Sequence, residues 1–545
     1  MTSEPGIRLV KVSGNDCVLS AQVFTHIFVA VFVRNSIGFW VSINCLDRHG
    51  LKRFADCGVA HDQHPRGHHY PANKIWQDAD ILFKKSGTAL SPITLRAQTP
   101  GHVILSGSSR LRISGRWLVV EGLRFQNGYV TNNDVIQFRE NSSSLATNCV
   151  MTNCAIVDYS PPLPADPLTD YKWISIYGIS NRLDNCYFSG KTNMGATTVV
   201  GLTGQTNEFN RNVIRRNFFG HRPVLGVNGG ETIRIGVGAV SYVSAQTLVE
   251  ENYFQHCDGE IEMISNKSSE NTYRYNTFES CAGTLTLRQG KHCLVEGNCF
   301  FGRGLPNTGG VRVIDEDHLV MNNYFDSLTG SEARSALCMM NGVTGAAPAY
   351  VQVQRAQVIC NTFVNCSHNL LIGRSDGGGT LGPIDCTNAN NIVRGFAGQL
   401  VEVQTVPTNF LWEGNVFFGA TACVTNSGII TTDLLLVRNG DGLWRPATNS
   451  PVLGAAVGNY SAAIRDLDGQ SRSATKDVGC DQSSTDLILR KPLVPADVGP
   501  TWMRSVAPIK TIAFNSNSVA FTWGSLPALM YQIQLISWTG LQSVR

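Results

Sequence analysis

Charge is scarce in this chain. Only 16% of its 545 residues are Asp, Glu, Lys or Arg, and the formal net charge is +3. No run of Lys and Arg appears, which removes the electrostatic footprint of a nucleic-acid binder. Helical periodicity is missing, which excludes a coiled coil or a helical bundle. No apolar run is long enough for a membrane helix. The longest, VFTHIFVAVFV at 23–33, is short and contains His26. The 16 cysteines include no CxxC pair, so neither a redox dithiol nor a zinc ribbon is encoded.

Glycine is abundant, with 53 residues, as in a β-rich protein with many turns. Cys149, Cys154, Cys186, Cys281, Cys293, Cys299, Cys360 and Cys366 sit inside apolar, strand-like runs. They read as small buried core residues, because a chain of this length needs no disulfide stapling. Cys57, His61, His64, His68 and His69 match no standard zinc spacing and read as a polar loop.

From about residue 117 a unit recurs: an apolar strand, then Asn, then an aromatic. It reads NCYF at 185–188, NFF at 217–219, NYF at 252–254, NTF at 276–278, NCF at 298–300, NYF at 323–325, NTF at 361–363 and NVF at 415–417. The asparagines at 252, 276, 298 and 323 are 24, 22 and 25 residues apart. Such a period with β-type strands predicts a solenoid. The LxxLxL signature of leucine-rich repeats is absent, so the expected fold is all-β, a right-handed parallel β-helix of three-strand coils stacked at roughly 4.8 Å. The asparagines are expected to stack as an amide ladder at a turn, and the phenylalanines in the core.

Residues 1–74 form an atypical N-terminal segment, read either as a signal or anchor or as a mis-assigned start. The β-helix is expected over 75–504, with DLDGQSRSATKDVGCDQ (466–482) closing it and LVPADVGPTWM (493–503) capping the last coil. In 505–545 the alternation of AFNSNSVAFTW and YQIQL predicts the start of a second, incomplete small β domain.

The chemistry-bearing segment is DGEIEMISNKSSENTYRYNTF, 258–278. On a strand, Glu260 and Glu262 share a face, roughly 6.6 Å apart. Two carboxylates there repel unless water or a cation separates them. Asn228 precedes Gly229 and Gly230 one coil earlier, and with the two glutamates makes a three-oxygen set suited to Ca²⁺. Lys267, Arg288 and Arg312 follow on successive coils and are expected to form a cationic ladder. A cation beside a lysine suggests β-elimination on a polyuronate. The cation neutralises the carboxylate and so acidifies the α-proton. The lysine acts as base, and a donor assists the leaving glycosidic oxygen. Acid/base hydrolysis by Glu260 and Glu262 fits less well, since a shared metal leaves neither free.

These residues resemble polysaccharide lyase family 6, the alginate lyases and the dermatan-cleaving chondroitinase B. The resemblance runs over about 75–504 and rests on WQDADILFKKSGTALSPITLRAQTPG (76–101), NGGETIRIG (228–236), GEIEMISNKSSENTYRYNTF (259–278), LTLRQGKHCLVEGN (285–298) and GGVRVIDEDHLVMNNYF (309–325). It implies a calcium-assisted elimination, with Lys267 as base and Arg288 as acid. It also implies that Asn228, Glu260 and Glu262 are calcium ligands, and that Arg234, His292 and Arg312 line the sugar sites. The RVI motif around Arg312 is similar to the alginate-lyase branch. Gln289 stands where the family has His directly after the catalytic Arg; it is expected to bind a sugar or hold Arg288. The first 74 residues lack the family's PGD-type first turn. The expectation is a secreted or periplasmic alginate lyase with an anionic polysaccharide as partner. A lyase for dermatan sulfate or another uronic-acid glycan, and a non-catalytic glycan-binding β-helix, are the alternatives.

Overall fold

The computed structural model describes residues 72–504 apart from 163–168, 204–206 and 346–349, and beyond that span only the backbone of short strands. The chain divides into two compact units, one of 62–504 and one made of 1–61 with 505–545. In the smaller unit Val10–Val12 and Ile27–Ala30 each pair antiparallel with Tyr531–Ser537, and Ile509–Asn515 pairs antiparallel with Ser518–Trp523. The side chains of the 23–33 stretch and of the Cys57–His69 cluster lie outside the described residues. Among the described residues no helix is long and apolar enough to cross a membrane.

In the larger unit the chain winds as a parallel β-helix. Three long sheets of 15, 13 and 14 strands run its length, and each coil adds a strand to each sheet. Helix among the described residues is confined to single 3₁₀ turns at Gly238–Val240, Glu332–Arg334 and Pro495–Asp497. On the first sheet, β1 (Thr198–Val200), β2 (Ile233–Gly236), β3 (Ile264–Lys267), β4 (Leu285–Gln289), β5 (Val311–Val313) and β6 (Leu337–Met340) lie side by side, each parallel to the next. Inward-facing Ile233, Ile264, Leu285, Val311 and Leu337 are fully buried in one column. Every described cysteine is a free thiol, and all but Cys423 are buried.

The recurring Asn forms the expected ladder, starting at Asn217. The Nδ2 of Asn276 donates to Asn298 Oδ1 at 2.9 Å, and that of Asn298 to Asn323 Oδ1 at 3.0 Å. The same oxygens accept backbone N–H groups of the preceding coil. The ladder holds a strained corner: Arg216, Glu251, Tyr275, Asn322, Cys360 and Asn390, each directly before a ladder Asn, have φ of 52–56°. Residues with a Cβ lose about 1–2 kcal/mol in that conformation, which the buried amide bonds offset. In NCYF, Asn185 occupies the left-handed position and Cys186 the ladder position, its N–H held by Asn217 Oδ1. The phenylalanines stack as expected, with ring centroids 4.5–5.3 Å apart from Phe188 to Phe363. Asn298→Ala strands the Asn276 amide and the Tyr273 carbonyl in the core. It is expected to lower stability by about 3 kcal/mol, read as a lower guanidinium midpoint with no rung register change.

LVPADVGPTWM does not cap the last coil. It runs back along the outside: Leu493 N–H donates to Thr277 Oγ1, Gly499 N–H to the Arg216 carbonyl, and Trp502 Nε1–H to the Asn153 carbonyl. The outward groups of the coils are the hydrogen-bond partners that draw the segment down the stack rather than over its end.

Candidate active site

Two backbone segments build the acidic half of the site. The turn before β2 carries Asn228, Gly229, Gly230 and Glu231. The turn before β3 carries Gly259, Glu260 and Glu262, which lie in a bend and not in the strand itself. The turns touch. A Cβ on Gly230 would sit 2.4 Å from the Gly259 carbonyl oxygen, and one on Gly259 2.2 Å from that of Gly230. The glycines therefore serve coil-to-coil approach, where backbone access for a ligand was the expectation. Only residues without a side chain allow it.

Glu260 is pushed up to about 7, first by burial and then by the charges of Glu231 and Glu262; the Gly229 amide and Lys267 offset part of this. Glu262 accepts a hydrogen bond from Ser265 Oγ at 2.6 Å, and its other oxygen lies 3.3 Å from Arg288 Nε and 3.6 Å from Arg312 Nη2. Asn228 is exposed, with its Oδ1 accepting the Gly229 N–H. Glu231 was not singled out in the sequence. It is buried, one oxygen 3.5 Å from Arg234 Nη1 and the other without a hydrogen-bond partner. Its position directly after Gly-Gly was the available signal.

The basic half lies on the first sheet, and the register departs from a simple ladder. Lys267 is paired with Gln289, not Arg288, because a bulge between Asn266 and Lys267 skips one residue of β4. Arg288 is that extra residue, and bulges re-aim side chains. Arg312 pairs with Thr286, so it shares a column with Ser265 and Arg234. Arg312 is 2% exposed and donates to the Tyr350 hydroxyl at 2.8 Å. The Arg288 guanidinium lies 3.9 Å over the Tyr350 ring, and one of its buried N–H groups has no partner. Tyr350 was invisible in the sequence, since it lies 38 residues beyond Arg312. Arg334 lies close by, its pKa lowered by burial and by Arg312.

Two expected sugar contacts sit elsewhere. His292 is on the next turn, 60% exposed by side chain and 3.8 Å from Asp317, in a charged group with Lys291, Glu316 and Arg355. Gln289 is 2% exposed. The bulge turns it inward, so it can hold neighbouring groups but does not face a sugar. Its main-chain carbonyl accepts from Asn266 Nδ2 at 2.7 Å.

Lys267 is half-buried, and among the described residues its amine makes no ion pair or hydrogen bond. By contrast Lys291, on the following turn, is tied to Glu316 at 3.1 Å. Two carboxylates and an amide open to solvent fit a hard, oxygen-binding cation. The raised Glu260 and the Glu231 oxygen without a hydrogen-bond partner are the groups there that a cation would suit. Among the described residues no three His, Cys, Asp or Glu side chains group as metal ligands.

The chain matches the family model described as chondroitinase B over residues 60–420. Among solved structures it is similar to AlyGC, an alginate lyase of the PL6 family, with 36% identity and a TM-score of 0.73, covering 84% of this chain and 58% of that one. It is also similar to a family 6 lyase from human gut microbiota described as mannuronic acid specific, at 28% identity and a TM-score of 0.61, covering 67% of this chain and 85% of that one. The family 6 lyase Pedsa3628 from Pseudopedobacter saltans matches at 25% identity and a TM-score of 0.60, covering 80% and 94%. No curated protein matches the chain. The chain thus spans 58% of the length of the first of these relatives.

Proposed function

The chain belongs to the chondroitinase B family, the family 6 polysaccharide lyases, and on that premise we propose that it cleaves alginate by β-elimination, leaving a 4,5-unsaturated uronate at the new end. The observation that carries this reading is the Lys267 amine, which makes no ion pair or hydrogen bond among the described residues and acts electrostatically on Glu260, on the strand next to Arg288. A base in elimination has to be unencumbered by hydrogen bonds, and among the described residues Lys267 is.

In the proposed mechanism the Lys267 amine takes the proton from C5. The C–H electron pair forms the C4–C5 double bond while the C4–O4 bond breaks. The departing O4 gains a proton, from water or from the protonated lysine. Arginine is hard to deprotonate, so Arg288 acts by donating N–H bonds to the negative charge that grows on O4. Its Tyr350 platform keeps the guanidinium plane oriented. Arg234, in the same column as Arg312, serves the carboxylates of the polymer, while the buried Arg312 holds Glu262 and the Tyr350 hydroxyl behind them. Asn228, Glu260 and Glu262 would hold a calcium ion. When bound, it supplies neutralisation of the substrate carboxylate, which acidifies the C5 proton. The buried Gln289 supports the bulge that aims Arg288. His292 remains outside this set. A polymeric substrate favours action outside the cytoplasm, in keeping with a secreted or periplasmic protein.

The test is ultraviolet absorbance of unsaturated products from polyguluronate, polymannuronate and dermatan sulfate. The expected outcome is product from at least one alginate block and initial rates on dermatan sulfate about a hundredfold lower or less. Faster turnover of dermatan sulfate moves the specificity to that glycan, and absence of product from all three leaves a binding protein.

A further inference from the structure

Arg222 is absent from the catalytic set, yet it is among the most completely enclosed charges in the chain, 2% exposed. It lies on the turn one coil before Glu260 and makes an isolated bridge with Cys257. Its Nη1 donates to Thr197 Oγ1 at 2.8 Å and to the Glu231 carbonyl at 2.9 Å. Its Nη2 donates to the carbonyls of Gly195 at 2.9 Å, Gly229 at 3.1 Å and Asn193 at 3.3 Å. Its Nε lies against Gly259, 2.7 Å from where a Cβ would stand. The guanidinium thus bonds two successive coils, and the main chain of Arg222 bonds the next: its N–H donates to the His256 carbonyl and its carbonyl accepts the Asp258 N–H, both at 2.9 Å.

These acceptors flank the residues of the acidic half. Gly229 and Glu231 bracket the turn that follows Asn228, and the main-chain bonds of Arg222 reach His256 and Asp258, just before the Gly259–Glu260 turn. We propose that Arg222 is the positioning residue of the calcium site, holding the Asn228–Glu231 turn against the Gly259–Glu262 turn so that their oxygens converge. The inference rests on the calcium reading of the same site and adds to it the residue that assembles it. Arginine suits this role because its planar fork spans several acceptors with fixed directions. A lysine ammonium, with a single nitrogen, does not reach both turns at once. Burial lowers its pKa only to about 10, so the charge persists at neutral pH. Outer partners that orient metal ligands typically change affinity by about 10–100-fold when removed.

The experiment is calorimetric titration with calcium chloride, without substrate, on wild type, Arg222→Met, Arg222→Lys and the control Arg472→Lys, each with its thermal midpoint. Arg472 is a second buried arginine, bonded to the Asp477 and Gly479 carbonyls and to Asn322, away from the site. The expected result is a calcium Kd raised about tenfold or more in Arg222→Met. Arg222→Lys should be intermediate, and Arg472→Lys unchanged in Kd though lowered in midpoint. Should Arg222→Met fail to fold, Arg222→Lys carries the comparison. A calcium Kd within about twofold of wild type in the folded Arg222 variants overturns this inference alone. An equal weakening in Arg472→Lys also overturns it, because the effect then belongs to general loosening. A wild-type chain that takes up no calcium overturns the calcium reading and this inference together.

Discussion

Lys267→Ala is expected to lower turnover on alginate by roughly 10³-fold, within the range attributed to a positioned general base, while the protein folds and binds calcium and oligosaccharide as before. The separation follows from the geometry. The oxygens of the acidic half come from the turns before β2 and β3, whereas Lys267 closes β3. Its amine holds nothing together, since it makes no ion pair or hydrogen bond among the described residues. Truncation therefore removes chemistry without leaving a buried partner stranded. The check is steady-state kinetics on polyguluronate and polymannuronate, with calcium titration and thermal midpoint as controls. Retention of more than about a tenth of the wild-type rate would identify another group as the base.

Removing calcium is expected to abolish activity while the fold persists, with a loss on the order of 10²–10³-fold. The Asn and Phe columns do not pass through the site, and Asn228, Glu260 and Glu262 lie in turns ahead of the strands, so the core survives chelation. Glu262→Ala should act in the same direction, and it also frees Arg288 and Arg312 from their shared carboxylate. A pH signature accompanies the effect. Glu260 is raised from an ordinary value near 4.5 to about 7. The folded, metal-free protein thus binds a proton more tightly than the unfolded chain, and its stability falls as pH rises from about 4.5 to about 7. Calcium requires the ionised form, so the rise in thermal midpoint on adding calcium should grow between pH 5 and 8. Full activity in excess chelator, or a calcium shift that does not vary with pH, would count against the site.

The parts of the molecule legible in the sequence are those that repeat. The Asn and Phe positions recur with the coil, because each stacks on its own copy in the next coil and so needs the same residue type each time. From that period the β-helix and the order of its coils followed directly. Glu260, Glu262, Asn228, Lys267 and Arg288 also stood out in the sequence as candidates. Charged or amide groups at consecutive coils, beside otherwise apolar strands, stand out against so low a charge content.

Only the tertiary structure decided how those groups meet. A skipped residue in β4 moves Lys267 opposite Gln289, turns that glutamine inward and leaves Arg288 as the bulged residue. Arg312 pairs with Thr286, ahead of that bulge, and so stands in the column of Arg234 and not in that of Lys267. Tyr350, Glu231 and Arg222 reach the site from distant or unremarkable positions. His292, close in sequence, faces a different charged group on the following turn. The physical reason is that spacing along the chain specifies which coil a residue occupies. Its column and direction depend on bulges, bends and close glycine contacts, each worth only one residue of register. A period of about two dozen residues does not resolve a shift that small, but the pairing of neighbouring backbones does.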